Sequence, residues 1–243
     1  MTFDLIVTAA ALVAGAIAAV AGFGIGSVLT PVFALQTGTK LAVAAVAIPH
    51  FVGTLQRYWL LRRHVDRRVL LGFGLASAAG GLAGALLHAW LSSRILTIVF
   101  GGLLILAAIA QLTGWMEKVR WGRRVAWFAG ALSGVFGGLV GNQGSIRSAA
   151  MLGFDVPKES FVATATAIGL FVDGARLPVY LATQWREIAD VWPLLAAAIV
   201  GVMIGTAAGA RVLKRIPQPL FRRVIAALLF ALGIYMIVAG GND

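Results

Sequence analysis

Eight long apolar runs, at about residues 4–36, 41–61, 69–90, 95–113, 125–153, 159–182, 189–210 and 220–239, occupy most of this 243-residue chain. Some 20 apolar residues suffice to carry a helix across the ~30 Å hydrocarbon layer of a bilayer. Lipid offers no partners to a backbone, so each run must bond its own N–H and C=O groups, which predicts an all-α polytopic membrane protein. A net charge of +11 would suit nucleic acid in a soluble chain, but these cations sit in short loops between apolar runs, where membrane topology accounts for them. The absence of cysteine excludes disulfides, thiolate metal sites and cysteine nucleophiles. Met1-Thr2-Phe3-Asp4 offers no basic n-region and the apolar character runs on past any cleavage point, so the first run is expected to stay as structure. No motif calls for a metal or cofactor, and neither H-E-x-x-H nor a serine–histidine pattern supports an enzyme.

The chain repeats itself. AGAIAAVAGFGIG at 14–26 and AGALSGVFGGLVG at 129–141 share six of thirteen positions in register, and G-x-x-x-G pairs follow in both halves, Gly80 with Gly84 and Gly201 with Gly205. Two copies of one unit are expected, a first membrane repeat over 1–115 and a second over 120–243. The G-x-x-x-G pairs read as sites of close helix packing.

Loop charges set the expected orientation. If every run crosses once, the loops holding Arg62, Arg63, Arg67 and Arg68, and Lys118, Arg120, Arg123 and Arg124, fall opposite the stretch with Arg211, Lys214, Arg215, Arg222 and Arg223. That arrangement violates the positive-inside rule. If the run at 125–153 instead enters, breaks at GGLVGNQGSIR and returns, all three stretches and Lys158 share one side. Fourteen of the twenty cations are then cytoplasmic, against Lys40, Arg94 and Arg186 outside, with Arg57, Arg147 and Arg176 left inside the membrane. Repeat symmetry extends the hairpin to GFGIGS in the first run, where a tilted, broken crossing fits the charges equally well. Each repeat is thus a broken re-entrant hairpin plus three transmembrane helices, the two copies inverted, with both termini periplasmic at a bacterial inner membrane.

Breaks at membrane depth are tolerated where protein or a water-filled cavity covers them. With second limbs starting near Ser27 and Ser145, free N–H groups and positive dipole ends face each break, which favours an anion. Gly24, Gly26, Gly141 and Gly144 allow the turns, while Ser27, Thr30, Asn142, Gln143 and Ser145 are candidates for hydrogen bonds to the substrate. Pro31 falls in the first turns of its half-helix, where a missing N–H costs little. Arg147, one turn into the second half-helix, is the first choice for neutralising an anion; the competing reading has it snorkel or pair with Asp173. Arg176 and Asp173 lie three apart on one helix face, either as a structural pair or with Arg176 on the substrate and Asp173 carrying a coupling proton. His50 is a second candidate for that proton, against a packing role. Arg57 is expected to snorkel to the nearby helix end, and Trp59, Trp90, Trp115 and Trp192 to anchor the interfaces.

GFGIGSVLTP, GGLVGNQGSIRSAAML and ATATAIGLFVDGARLPVY resemble the TauE/SafE-type sulfite exporter family, and the resemblance extends over essentially the whole chain. It implies transport of small sulfur-containing anions such as sulfite, thiosulfate or organosulfonates, often as export. The family's first motif falls on Gly22, Gly24, Gly26 and Pro31, the second on Gly137, Gly138, Gly141 and Gly144. Here Asn142 and Gln143 interrupt the second motif, and its proline is missing. The expectation is a secondary transporter working by alternating access, its partners a small anion and the lipid bilayer. An anion channel and a proton-coupled importer are the alternatives.

Overall fold

Two glycine-rich stretches interrupt helices that would otherwise run on. The computed structural model describes residues 2–115, 123–142, 144–151, 154, 157–213 and 217–240. Helix α1 (Thr2–Ala21) stops at Gly22 and Gly24, whose φ angles of 77° and 131° suit glycine, and α2 (Ile25–Leu61) begins directly after them. In the second half α5 (Arg123–Val140) stops at Gly141, φ 75°, and α6 (Gly144–Met151) follows. The remaining helices are α3 (Arg67–Trp90), α4 (Ser93–Thr113), α7 (Lys158–Asp190), α8 (Trp192–Leu213) and α9 (Gln218–Gly240). No strand occurs among the described residues, and seven helices (α1 to α4 and α7 to α9) are long and apolar enough to cross a membrane. The fold is an all-α polytopic membrane protein.

The polar stretch QTGTK at 36–40 divides α2 into two helical stretches at a kink, as the spacing of the apolar runs suggested. Thr37 donates its hydroxyl to Phe33 O (3.0 Å), the backbone leaves helical geometry at Gly38 (φ 72°, ψ 159°), and the second stretch of α2 runs on to Leu61. Lys40 is held at that bend because its Nζ donates to the carbonyls of Ala89 and Leu91 at the end of α3 (2.8 and 3.0 Å). Those carbonyls belong to the helix end whose acceptors lack intrahelical partners. The start of α3 is capped in turn by Asp66, which accepts from the N–H groups of Arg68 and Val69 (2.9 and 3.0 Å).

The principal packings join one half of the chain to the other, and they exchange partners. Helix α1 lies along α8 and α5 along α3, while α4 packs on α9 and α2 on α7. The small residues make these contacts close. A Cβ at Gly80 or Gly84 would run into the carbonyls of Ala131 and Val135, and one at Gly205 into that of Leu12. The G-x-x-x-G pairs are therefore packing devices, as expected.

Contacts along α3 show that the second break reverses the chain. Gly72 meets Trp127 and His88 meets Leu139, so α5 runs beside α3 from its start toward its end. Met151 and Phe154 are nevertheless back in the cluster of Val69 and Phe73 near the start of α3, with the Phe73 and Phe154 rings 5.5 Å apart edge to face. Asp66 N–H donates to Thr164 Oγ1 (2.9 Å), placing the start of α7 at that same end. Trp59, Trp90, Trp115 and Trp192 are all exposed near helix ends, where interfacial anchors belong.

Candidate functional site

The two breaks meet. A Cβ at Gly26 would lie 2.6 Å from the carbonyl oxygen of Gly141, so the second residue of α2 rests directly on the turn that ends α5. Gly144 packs on Phe23 in the reciprocal sense, and Ser27 Oγ donates to Asn142 Oδ1 (3.4 Å) across the junction. Gly24, Gly26, Ser27, Thr30, Gly141, Asn142 and Gly144 are all buried there. The structure thus brings together residues more than a hundred positions apart that were grouped by repeat symmetry alone. The second limbs begin at Ile25 and Gly144, slightly before the serines expected to open them. Gln143 and the side chain of Ser145 lie outside the described residues.

The carbonyls at the C-terminus of a broken helix are short of helical partners, and three side chains donate to those of α5, where Gly137 O also accepts from Gly141 N–H (3.0 Å). Arg176 Nη1 donates to Gly137 O (2.8 Å), the Tyr180 hydroxyl to Gly138 O, and His88 Nδ1 to Leu139 O (2.8 Å). Because a carbonyl only accepts, His88 carries its proton on Nδ1, and Nε2 is left to accept from the Gln184 amide (3.3 Å). Arg176 is also tied to Asp173, through Nε at 3.0 Å and Nη2 at 2.8 Å, both to Oδ1. His50 Nδ1 occupies the other carboxylate oxygen at 2.7 Å. Every nitrogen of Arg176 has a partner, so this residue braces the break and neutralises Asp173. His88, Tyr180 and Gln184 were not anticipated. Tyr180 was nonetheless legible as the fourth member of the i, i+4, i+7, i+11 face Gly169, Asp173, Arg176, Tyr180.

A second set of polar groups is buried without partners. Arg147 is 5% exposed, and among the described residues its Nε and Nη1 have no hydrogen-bond partner. The same holds for Asn142 Nδ2 and Thr30 Oγ1. Asp173 does not supply the missing partner for Arg147, since Arg176 and His50 engage its two oxygens. Arg57 departs from expectation. It does not snorkel: it is 7% exposed, its Nη2 donates to Thr54 Oγ1 (3.1 Å), and its Nε and Nη1 are unpartnered. Proximity to a helix end misled here, because α2 packs against α7 along its whole last stretch. His50 meets Asp173 and Thr54 meets Gly169, so the two helices run antiparallel with their polar faces opposed. The spacing His50, Thr54, Arg57 was the available signal, an i, i+4, i+7 stripe on one face of a membrane helix.

Two groups of charges therefore share one buried region. Asp173, Arg176 and His50 satisfy one another and brace the second break, whereas Arg147, Arg57, Asn142 and Thr30 present unused hydrogen-bonding groups. Buried polar groups of this kind are costly in a protein interior and are normally paired, so the second group is the candidate for meeting a ligand. No curated protein and no solved structure matches the chain. The family described as Sulfite exporter TauE/SafE matches residues 7–236. Covering both breaks and reaching into all seven candidate spans, that match shows that the protein belongs to the TauE/SafE family of membrane transporters.

Proposed function

We propose that the protein is a secondary transporter of a small sulfur-containing anion, held where the two broken helices meet. The observation that carries this reading is Arg147, a buried guanidinium with unpartnered Nε and Nη1 beside the junction of the breaks. A cation at membrane depth is expensive and calls for a counter-charge, and the family suggests which anions provide one. The first N–H groups of α2 and α6 and the side chains of Ser27, Thr30, Asn142, Gln143 and Ser145 complete the binding set, with Gly24, Gly26, Gly141 and Gly144 admitting the anion close to the backbone.

The exchange of packing partners between halves supports two inverted repeats, 1–115 and 120–243, rocking against each other in alternating access. Export from the cytoplasm across the inner membrane is the expected direction. A negative interior favours exit of each negative charge by ~2.3 kcal/mol per 100 mV, so export needs no coupled ion. Import would require one, and the Asp173–His50 pair is where a proton would be carried.

The test is a thermal-shift screen of purified protein against sulfite, thiosulfate, taurine, sulfoacetate and chloride, since a bound ligand raises apparent stability. A sulfur anion should raise the melting temperature of the wild type and leave Arg147→Gln unmoved. Equal shifts in both proteins would remove Arg147 from the site. Counterflow in proteoliposomes should follow, and ohmic currents without counterflow would mean a channel instead.

A further inference from the structure

We infer that Arg57 and Arg147 together form a two-guanidinium seat that selects a doubly charged, fully deprotonated oxyanion. The inference rests on the reading that Arg147 faces the transported anion, and it adds a second residue and a valence.

The two arginines reach the same place from different helices. Arg147 Nη1 lies 3.0 Å from where a Cβ on Gly169 would stand, and the Thr54 methyl lies 3.7 Å from that same point. Thr54 Oγ1 in turn accepts a hydrogen bond from Arg57 Nη2 (3.1 Å). Gly169 thus leaves open the space beside both guanidinium groups, and each turns an unpartnered Nε and Nη1 into the protein interior. Neither is needed to hold the fold's broken helix, a task performed by Arg176, Tyr180 and His88.

The charge count sets the valence. Asp173 is the only buried acid among the described residues, and it is taken by Arg176. Arg57 and Arg147 are left as two buried positive charges with no counter-charge. A dianion neutralises both, a monoanion leaves one uncompensated, and a zwitterion leaves the net charge of the site unchanged. The groups offered are also one-sided. Guanidinium N–H and the Asn142 amide N–H can only donate, so they match oxygens that only accept. An acid that retained its O–H would bring a donor against donors.

The experiment is equilibrium binding to the purified full-length protein at constant ionic strength and pH 7.5, with thiosulfate and sulfate as dianions and methanesulfonate as the monoanion. The wild type should bind thiosulfate about tenfold or more tighter than methanesulfonate, the scale expected for one additional desolvated charge pair. Arg57→Gln should lose about tenfold in thiosulfate affinity and under about threefold for methanesulfonate, with Arg57→Lys in between because it keeps the charge without the planar fork. Equal affinity of the wild type for both anions would overturn the valence assignment, whether or not any variant folds. Unchanged thiosulfate binding by Arg57→Gln would remove Arg57 from the seat, and equal loss of both anions would overturn its role in selecting charge. These failures differ from failure of the underlying reading, in which Arg147→Gln would bind thiosulfate like the wild type.

Discussion

Arg147 and Arg176 are both buried arginines inside the membrane, yet their surroundings assign them opposite effects on stability. Arg176 has a partner on each nitrogen, and its removal would strand the Asp173 charge and take away the side-chain donor to Gly137 O. Breaking a buried pair from one side costs about 3–5 kcal/mol. Arg147 has no such partner for Nε or Nη1, so removing it relieves a buried, uncompensated charge. We therefore expect Arg176→Gln to lower the melting temperature of the ligand-free protein strongly, and Arg147→Gln to leave it unchanged or raised while anion binding is lost. Unfolding monitored without added anion decides the point, and a large drop for Arg147→Gln would make it a structural residue. The charges were legible in the sequence because any ionised side chain inside an apolar run stands out. What each one pairs with was not, since Asp173 lies three residues from Arg176 but also within reach of His50, 123 positions away. Linear spacing reported the first contact and could not report the second.

At the scale of elements, the site depends on how closely the two breaks approach. Gly26 has ordinary helical geometry, so alanine there brings no backbone strain, but its Cβ would fall 2.6 Å from Gly141 O. Backbone cannot yield as a flexible side chain can, and the tips must separate. Gly26→Ala should therefore abolish or severely reduce anion binding with the helices intact. Gly102→Ala is the control: nothing lies within 4 Å of its Cβ, and inside α4 the change should be neutral or stabilise by up to about 1 kcal/mol. Binding titrations on the two variants, with circular dichroism to confirm helicity, test this directly; normal binding by Gly26→Ala would mean that the tips need not touch. The breaks themselves were readable from the density of glycine in an apolar run. The kink at Gly38 was readable too, from the polar stretch between two apolar runs, but the partners of Lys40 were not, because the carbonyls that hold it come from the end of α3.

For the whole molecule, two independent lines support the proposed topology. Loop charges place fourteen of twenty cations on one side if the second break reverses the chain. The contacts agree without reference to charge, since Asp66 meets Thr164 at one end while Lys40 meets Ala89 and Leu91 at the other. Charge patterns were legible because they depend only on which loops share a side. The exchange of α1 and α5 onto α8 and α3 was hidden, because glycine spacing marks a packing surface without naming its partner. The chain has no cysteine, so single reporters are clean. Arg63 and Pro217 are exposed at the end holding the basic loops, and Arg94 and Arg186 are exposed at the opposite end. In intact cells a membrane-impermeant maleimide should label cysteines at 94 and 186, whereas those at 63 and 217 should react only after permeabilisation. Straight crossings would put 63 and 217 on opposite sides, so external labelling at either one would end the hairpin arrangement and, with it, a site built where two re-entrant tips converge.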